Sequence, residues 1–207
     1  MQDVLELYEQ EYDPGRPVVC FDEMPVQLIG ETQIPRPPAP GRRERYDYEY
    51  RRGGTANLCM HFEPKAGERH VDVTGSRKQA DFAEQMKWLV DERYPEAERV
   101  RVVMDNLNTH KPSSLYEAFS PAEARRILRR LEFHHTPKHA SWLNQAEIEW
   151  GVLSGQCLDR RIPDKATLER EVAAWETERN GSGATVNWRF TNEDARTRLG
   201  RLYPARS

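Results

Sequence analysis

The stretch Arg99–Asn106, with the sequence RVRVVMDN, decides the expected fold. Its apolar residues form a short run that ends at Asp105, without the strict alternation of a half-buried strand. Such a run is typical of a strand that is buried on both faces of a sheet. An aspartate at the carboxyl end of this strand lies where open α/β sheets bind their ligands. Asp105 is therefore a candidate functional residue.

A second aspartate and two glutamates extend this candidate site. The segment PVVCFDE at residues 17–23 repeats the first pattern, because Asp22 follows an apolar run. Downstream, apolar residues at helical spacing predict a helix that carries Glu147 and Glu149. At 3.6 residues per turn these glutamates lie roughly 200° apart, so only one can face the aspartates, and the periodicity does not choose between them. Carboxylates of this kind suit divalent metal ions such as Mg²⁺.

The other strand patterns predict a mixed α/β sheet. Tyrosines at every second position of residues 46–50 predict a half-buried strand. The glycines at 53–54 predict a turn after it, and residues 55–64 are expected to form its partner strand. A third strand is expected at 67–75. An antiparallel meander joined to strands with crossover helices is a mixed sheet, in which the strands of the two aspartates can be neighbours.

Helix starts can be recognised from their capping residues. Ser120, followed by Pro121 and Glu123, fits a capping box with proline at the first helical position. The segment that begins at Thr191 repeats the capping pattern. A further helix is expected from about Gln79.

The composition is that of a single domain. The chain has 207 residues, of which 37% are hydrophobic and 31% are charged, with a formal net charge of −3. This charge gives no general argument for nucleic-acid binding, which must come from local clusters. Three widely spaced cysteines, no apolar run of transmembrane length and no signal-peptide core predict a soluble, cytoplasmic protein without membrane contact.

Two arginine clusters are candidate contacts to the DNA backbone, which supplies most of the affinity of DNA-binding proteins and no sequence information. One cluster lies in a proline-rich connector and the other on the helix that follows Ser120; the residues chosen are Arg42, Arg43, Arg125, Arg126, Arg129 and Arg130. A solvated charged face is the alternative for both clusters. Trp142 could stack on a flipped or terminal base, or it could belong to the core.

Three blocks of the sequence resemble the signature blocks of the mariner-superfamily DDE transposases, in their bacterial insertion-sequence branch. The blocks are PVVCFDE, VVMDNLNTHKP and HTPKHASWLNQAEIEW. The resemblance implies a ribonuclease H-like fold, with a mixed five-stranded sheet flanked by helices. It also implies a catalytic triad formed by Asp22, Asp105 and Glu147. The spacing of the third block favours Glu147 over Glu149 as the third acid. His110, in the second block, is implied to orient a phosphate or the loop of Asp105.

The resemblance further implies the reaction and its cofactors. The three acids would bind two Mg²⁺ ions, for which Mn²⁺ can substitute. The enzyme would cleave a DNA strand with water, and the freed 3′-hydroxyl would then attack target DNA. The partners implied are the element ends and the target DNA, in a homodimer or a higher synaptic assembly that is nucleoid-associated when on DNA.

The expected domain organisation is a linker remnant at residues 1–16, followed by a ribonuclease H-like DDE catalytic domain at residues 17–207. Family members usually carry a helix-turn-helix region ahead of this domain. None is recognised ahead of Asp22, which predicts a separate helix-turn-helix polypeptide as a partner. The alternatives are a truncated product that regulates without cutting, or a general nuclease of the same fold.

Overall fold

A five-stranded mixed sheet forms the centre of the protein. The computed structural model describes residues 1–33, 38–43, 48–138 and 140–200. The strands are β1 (Val18–Glu31), β2 (Tyr50–Glu63), β3 (Glu68–Thr74), β4 (Val100–Met104) and β5 (Leu131–His135), in the order β3-β2-β1-β4-β5. The first three strands form an antiparallel meander, and β4 and β5 run parallel to β1. The predicted mixed five-stranded sheet is confirmed.

Helices cover both faces of this sheet. They are α1 (Gln2–Glu9), α2 (Gln79–Trp88), α3 (Pro112–Ala118), α4 (Pro121–Leu128), α5 (Ala146–Leu153), α6 (Lys165–Gly181) and α7 (Asn192–Arg198). One buried core lies between the sheet and helices α1, α5, α6 and α7. The other lies between the sheet and helices α2, α3 and α4. Within the described ranges, no helix is long and apolar enough to cross a membrane.

Strand β1 is longer than the sequence predicts. The apolar run ends at Asp22, where a strand end is expected, but the strand continues to Glu31. Asp22 pairs with Met60 of β2, and the ladder goes on beyond it. The prediction is wrong because the apolar run marks only the part of β1 that lies against β4, whose pairing is confined to Val18–Cys20.

Gly53 and Gly54 do not form the predicted turn. Both lie inside β2, beside a register shift in its pairing with β1, and Gly54 has a φ of 97°. A Cβ atom at Gly53 would lie 2.3 Å from the carbonyl oxygen of Pro163. The glycines therefore accommodate an irregularity and a close crossing of the chain. The connection between β1 and β2 is made by residues 32–49, of which 34–37 and 44–47, with the predicted tyrosine strand start, lie outside the described residues.

The segment expected to be a linker remnant contains a packed helix. Val4 and Leu5 of α1 are fully buried in the core shared with α5. The hydroxyl of Tyr8 donates a hydrogen bond of 2.7 Å to the carbonyl oxygen of Leu143, just before α5. Residues 2–9 thus pack as part of the same folded unit as the sheet.

Candidate active site

Asp22 and Asp105 lie at the same level of two neighbouring strands. The parallel pairing of β1 with β4 ends with Cys20 opposite Val103. Each aspartate follows two residues after this pair, Asp22 within β1 and Asp105 in the loop directly after β4. Adjacent parallel strands bring the residues beyond their paired segment to one edge of the sheet. The two aspartates therefore lie at the same edge of the sheet, on neighbouring strands.

A buried histidine holds the loop of Asp105. Nδ1 of His110 lies 2.7 Å from Oδ1 of Asp105, and its Nε2 lies 3.5 Å from the carboxylate of Glu23. Burial alone would lower the pKa of His110, but its contacts with the two acids raise that pKa to about 9. His110 is fully buried. It therefore cannot contact DNA as a surface residue, and of its two expected roles the geometry fits the orientation of the Asp105 loop.

Glu23 extends this arrangement on the face of β1 opposite to Asp22. Its side chain is buried and accepts a hydrogen bond from the guanidinium of Arg77, whose own side chain is partly exposed. Neither residue is among the site residues predicted from the sequence. The sequence does contain a signal for Glu23, because it directly follows Asp22. Neighbouring residues of a strand point to opposite faces of the sheet, so a second buried acid at this position needs a partner of its own.

The loop before α5 attaches this helix to β1. The amide nitrogen Nδ2 of Asn144 donates a hydrogen bond of 2.8 Å to the carbonyl oxygen of Phe21, next to Asp22. Its Oδ1 accepts a hydrogen bond of 3.2 Å from the backbone of Ala146, the first residue of α5. One turn later, Nε1 of Trp150 donates a hydrogen bond of 3.0 Å to Oδ2 of Asp22. The sequence offers a signal for this role, because an asparagine just ahead of a helix is a capping residue.

The two glutamates of α5 have different environments. Glu149 is buried and forms ion pairs with Arg69 and Arg179, at 3.2 and 3.0 Å. Glu147 is exposed and close enough to Asp22 for its charge to act on that carboxylate. The helix therefore directs Glu149 into the protein and leaves Glu147 exposed, where its charge acts on Asp22.

The carboxyl of Asp22 is affected by burial and by its two acidic neighbours. Burial raises the pKa of the Asp22 carboxyl to about 6, and the negative charges of Glu147 and Asp105 contribute to the rise. Hydrogen bonds from the Glu23 backbone and from Trp150 oppose it. A carboxylate that is destabilised by its acidic neighbours is one that a bound cation would stabilise.

The donor atoms fit a hard divalent cation, although the carboxylates are not drawn into a closed cage. Among the described side chains, no group of three His, Cys, Asp or Glu encloses a potential metal position. Mg²⁺ keeps several of its waters and is usually held by one or two carboxylates, so a closed cage is not required. The oxygen ligands of Asp22, Asp105 and Glu147 are of the kind that Mg²⁺ and Mn²⁺ prefer.

The arginine cluster of α4 lies away from these carboxylates. The backbone nitrogen of Val100, where β4 begins, donates to the carbonyl oxygen of Arg130, so α4 ends at the edge of the sheet opposite to Asp105. Arg126 is bound by Glu123 and Asp91. The guanidinium of Arg130 donates to two backbone carbonyl oxygens. The structure therefore does not bring Arg126 or Arg130 to the site, since both are engaged within the protein.

The other predicted DNA contacts lie on the surface. Arg125 on α4 and Arg129 directly after it are exposed. Arg42 and Arg43 are exposed in the connector between β1 and β2. Trp142, in a short 3₁₀ turn before α5, is 42% exposed and stacks on Trp188, with ring centroids 6.3 Å apart. Its alternative assignment to the buried core is wrong, because the residue is among the exposed large hydrophobic residues.

Comparison with known proteins places this fold in a family. Residues 17–169 match the family model of the DDE superfamily endonucleases. No curated protein is significantly similar to the chain. Three similar solved structures are the Mos1 transposase paired-end complex with left transposon end, the Mos1 Strand Transfer Complex and the catalytic domain of Mos1 mariner transposase.

These likenesses are structural, since the sequence identities are low. The paired-end complex has 16% identity and a TM-score of 0.54, and the match covers 81% of this chain and 51% of that one. The strand transfer complex has 14% identity and a TM-score of 0.57, and the match covers 87% of this chain and 54% of that one. The catalytic domain has 14% identity and a TM-score of 0.54, and the match covers 87% of this chain and 81% of that one. This chain thus spans about half the length of the first two. Because the family model matches well over half of the sequence, the chain belongs to the DDE superfamily endonucleases.

Proposed function

We propose that this chain is the catalytic domain of a DNA transposase, with Asp22, Asp105 and Glu147 as its catalytic acids. One observation carries the proposal: Asp22 and Asp105 each lie two residues beyond the last β1–β4 pair, and the helix of Glu147 is hydrogen-bonded to Asp22 through Trp150. The three acids come from β1, α5 and the loop after β4, so the fold brings distant parts of the sequence to one edge of the sheet. Membership in the DDE endonucleases supports the same assignment.

The protein would hold two Mg²⁺ ions, or Mn²⁺, between these carboxylates. When bound, such ions activate a water molecule and neutralise the leaving oxygen of a phosphodiester. The residues of this chain supply the framework. Trp150 fixes one oxygen of Asp22, His110 fixes one oxygen of Asp105, and Asn144 ties the start of α5 to β1. These contacts limit the positions that the carboxylates can adopt before substrate binds.

The proposal extends to the substrate and the assembly. Cleavage of a DNA strand would be followed by attack of the freed 3′-hydroxyl on target DNA. The catalytic domain at residues 17–207, with the helix of residues 2–9 packed against it, would act in the cytoplasm. The similar Mos1 structures are a complex with a transposon end and a strand transfer complex, which supports element ends and target DNA as partners. Resemblance in the three sequence blocks favours the bacterial insertion-sequence branch and a homodimer or higher assembly.

The test is metal-dependent nicking of duplex DNA by Glu147→Gln. This change keeps the size of the side chain but removes a ligand charge, so we expect nicking to fall at least about a hundredfold. Because Glu147 is exposed, the free energy of unfolding should change by less than about 0.5 kcal/mol. Glu84→Gln, an exposed glutamate on α2, is the matched control and should nick at the wild-type rate. Wild-type nicking by Glu147→Gln would refute the proposed triad.

A further inference from the structure

A buried ion-pair cluster lies behind the helix that carries Glu147. The carboxylate of Glu149 on α5 is 3.2 Å from Nε of Arg69 on β3, and both side chains are almost completely buried. Arg179 on α6 forms a two-pronged contact with the same carboxylate, through Nη2 at 3.0 Å and Nε at 3.2 Å. Strand β3 and helix α6 are therefore both bound to one side chain of α5.

Arg69 is itself fixed in position. Its Nη2 donates a hydrogen bond of 2.7 Å to the carbonyl oxygen of Ala184, and its Nη1 donates one of 3.1 Å to Asn180. The guanidinium also lies over the ring of Phe62, with 5.0 Å between its central carbon and the ring centroid. Removal of one partner from a buried ion pair leaves an uncompensated charge. The arginines thus give Glu149 a single favourable position.

The position of Glu149 determines the rotation of α5. Successive residues of a helix are rotated by about 100°, so Glu147 and Glu149 point in nearly opposite directions. Trp150, which donates to Asp22, is the next residue after Glu149. A rotation of α5 that moved Glu149 away from the arginines would therefore also move Glu147 and Trp150 relative to Asp22.

We propose that Glu149 is a positioning residue, which holds α5 through Arg69 and Arg179 so that Glu147 faces Asp22. This inference rests on the proposed function, because it assigns a role to Glu149 through the metal ligand Glu147. Glu149 itself is buried and does not contact substrate. Its replacement should therefore alter how well the carboxylates bind a divalent cation, in addition to any loss of stability.

The experiment compares Glu149→Gln with Glu176→Gln. Glu176 also joins α6 to β3, through the backbone nitrogen of Val71 at 2.8 Å and the ring of His70 at 3.2 Å, but among the described residues it forms no hydrogen bond or ion pair with α5. Both changes should lower the unfolding temperature of the metal-free protein. The thermal unfolding midpoint is then followed as Mn²⁺ is added, which measures cation binding without any catalytic reaction.

We expect Glu149→Gln to weaken the apparent Mn²⁺ affinity by about tenfold, the lower end of the range for residues that orient a metal ligand. Its kcat for nicking should fall by about the same factor, with the KM for DNA unchanged. Glu176→Gln should keep both the wild-type Mn²⁺ affinity and the wild-type kcat. Arg179→Gln, which leaves Arg69 in place, should show a smaller loss in the same direction, and it replaces Glu149→Gln if that variant does not fold.

The outcomes separate this inference from the proposed function. If the unfolding midpoint of the wild-type protein does not respond to Mn²⁺, the proposed function fails and the positioning role fails with it. If the wild-type protein responds and Glu147→Gln does not, the proposed function stands. Positioning by Glu149 is then overturned if Glu149→Gln, or Arg179→Gln in its place, binds Mn²⁺ and nicks DNA as Glu176→Gln does.

Discussion

The indole nitrogen of Trp150 donates a hydrogen bond of 3.0 Å to a carboxylate oxygen of Asp22. The bond joins α5 to the middle of β1, and Trp150 is otherwise part of the apolar face of its helix. One side chain thus contributes to the core and orients a candidate catalytic acid.

Trp150→Phe tests the second of these roles. The change keeps an aromatic ring in the core but removes the donor to Asp22, so stability should fall by about 1–3 kcal/mol. Nicking should fall by about tenfold, since a residue that orients a metal ligand is lost. Denaturant unfolding and single-turnover nicking measure the two effects. Trp175→Phe is the control, because Trp175 is buried to a similar extent and donates to Gln156. It should lose stability and keep its nicking rate; equal nicking by both variants would contradict the orienting role.

Pro163 crosses close to Gly53 of β2, so alanine should reduce the stability of the protein more at Gly53 than at Gly30. Gly53→Ala places a Cβ atom against the carbonyl oxygen of Pro163 and should cost about 1–3 kcal/mol of stability. At Gly30 a Cβ atom would lie 3.5 Å from the Cβ of the same proline, an ordinary contact. Gly30→Ala should therefore stay within about 0.5 kcal/mol of the wild type. Urea unfolding of both variants measures this difference, and a tolerated Gly53→Ala would show that the crossing does not require glycine.

Burial of His61 predicts a loss of stability in mild acid. Burial lowers the pKa of His61 to about 3, so the native protein keeps this ring neutral while the unfolded chain takes up a proton below about 6.5. The unfolded state therefore gains protons first, and stability falls as the pH decreases. The contribution of His61 between pH 7 and pH 5 is about 2 kcal/mol.

Urea unfolding at these two pH values measures the effect, with His61→Gln as the comparison. Glutamine does not titrate and can still bond to Gln85, the present partner of His61 at 2.8 Å. The variant should lose about 2 kcal/mol less than the wild type between pH 7 and pH 5. Identical pH dependence in the two proteins would show that His61 is not the group responsible.

The surface positions of the arginines predict which of them neutralise phosphates. Changing Arg42 and Arg43 to glutamine should reduce the slope of log K against log salt by up to about 0.9 for each arginine. Arg126→Gln and Arg130→Gln should leave the slope unchanged, because those guanidinium groups are already bound by carboxylates and backbone carbonyl oxygens of the protein. Binding titrations on one duplex at several salt concentrations test both statements. If the slope falls for the Arg126 and Arg130 variants and not for the Arg42 and Arg43 variants, the phosphate contacts lie at Arg126 and Arg130 instead.

Local signals in the sequence predicted much of the architecture. The cap at Ser120 accepts a hydrogen bond from the backbone of Glu123, and Thr191 forms a reciprocal capping box with Asp194. The buried run before Asp105 predicted β4, because a strand buried on both faces needs apolar residues throughout. These features depend on residues that are neighbours in the chain.

Long-range contacts could not be read in the same way. The Gly53–Gly54 pair has the composition of a turn, and only the approach of Pro163 shows why glycine is needed there. The periodicity of α5 left both glutamates possible, and the choice depends on where Arg69 and Arg179 lie in the fold. The arginines of α4 were grouped by their charge, yet the partners of Arg126 belong to other segments as well as to its own helix.

The continuous course of β1 gives the two aspartates unequal conformational entropy. Asp22 is paired with Met60 within a ladder that continues on both sides, so its backbone has one arrangement in the folded protein. Asp105 stands just after the end of β4, and its side chain is held by His110 alone among the described residues. When a ligand binds to both carboxylates, the loss of conformational entropy in the protein therefore comes mainly from Asp105 and its loop.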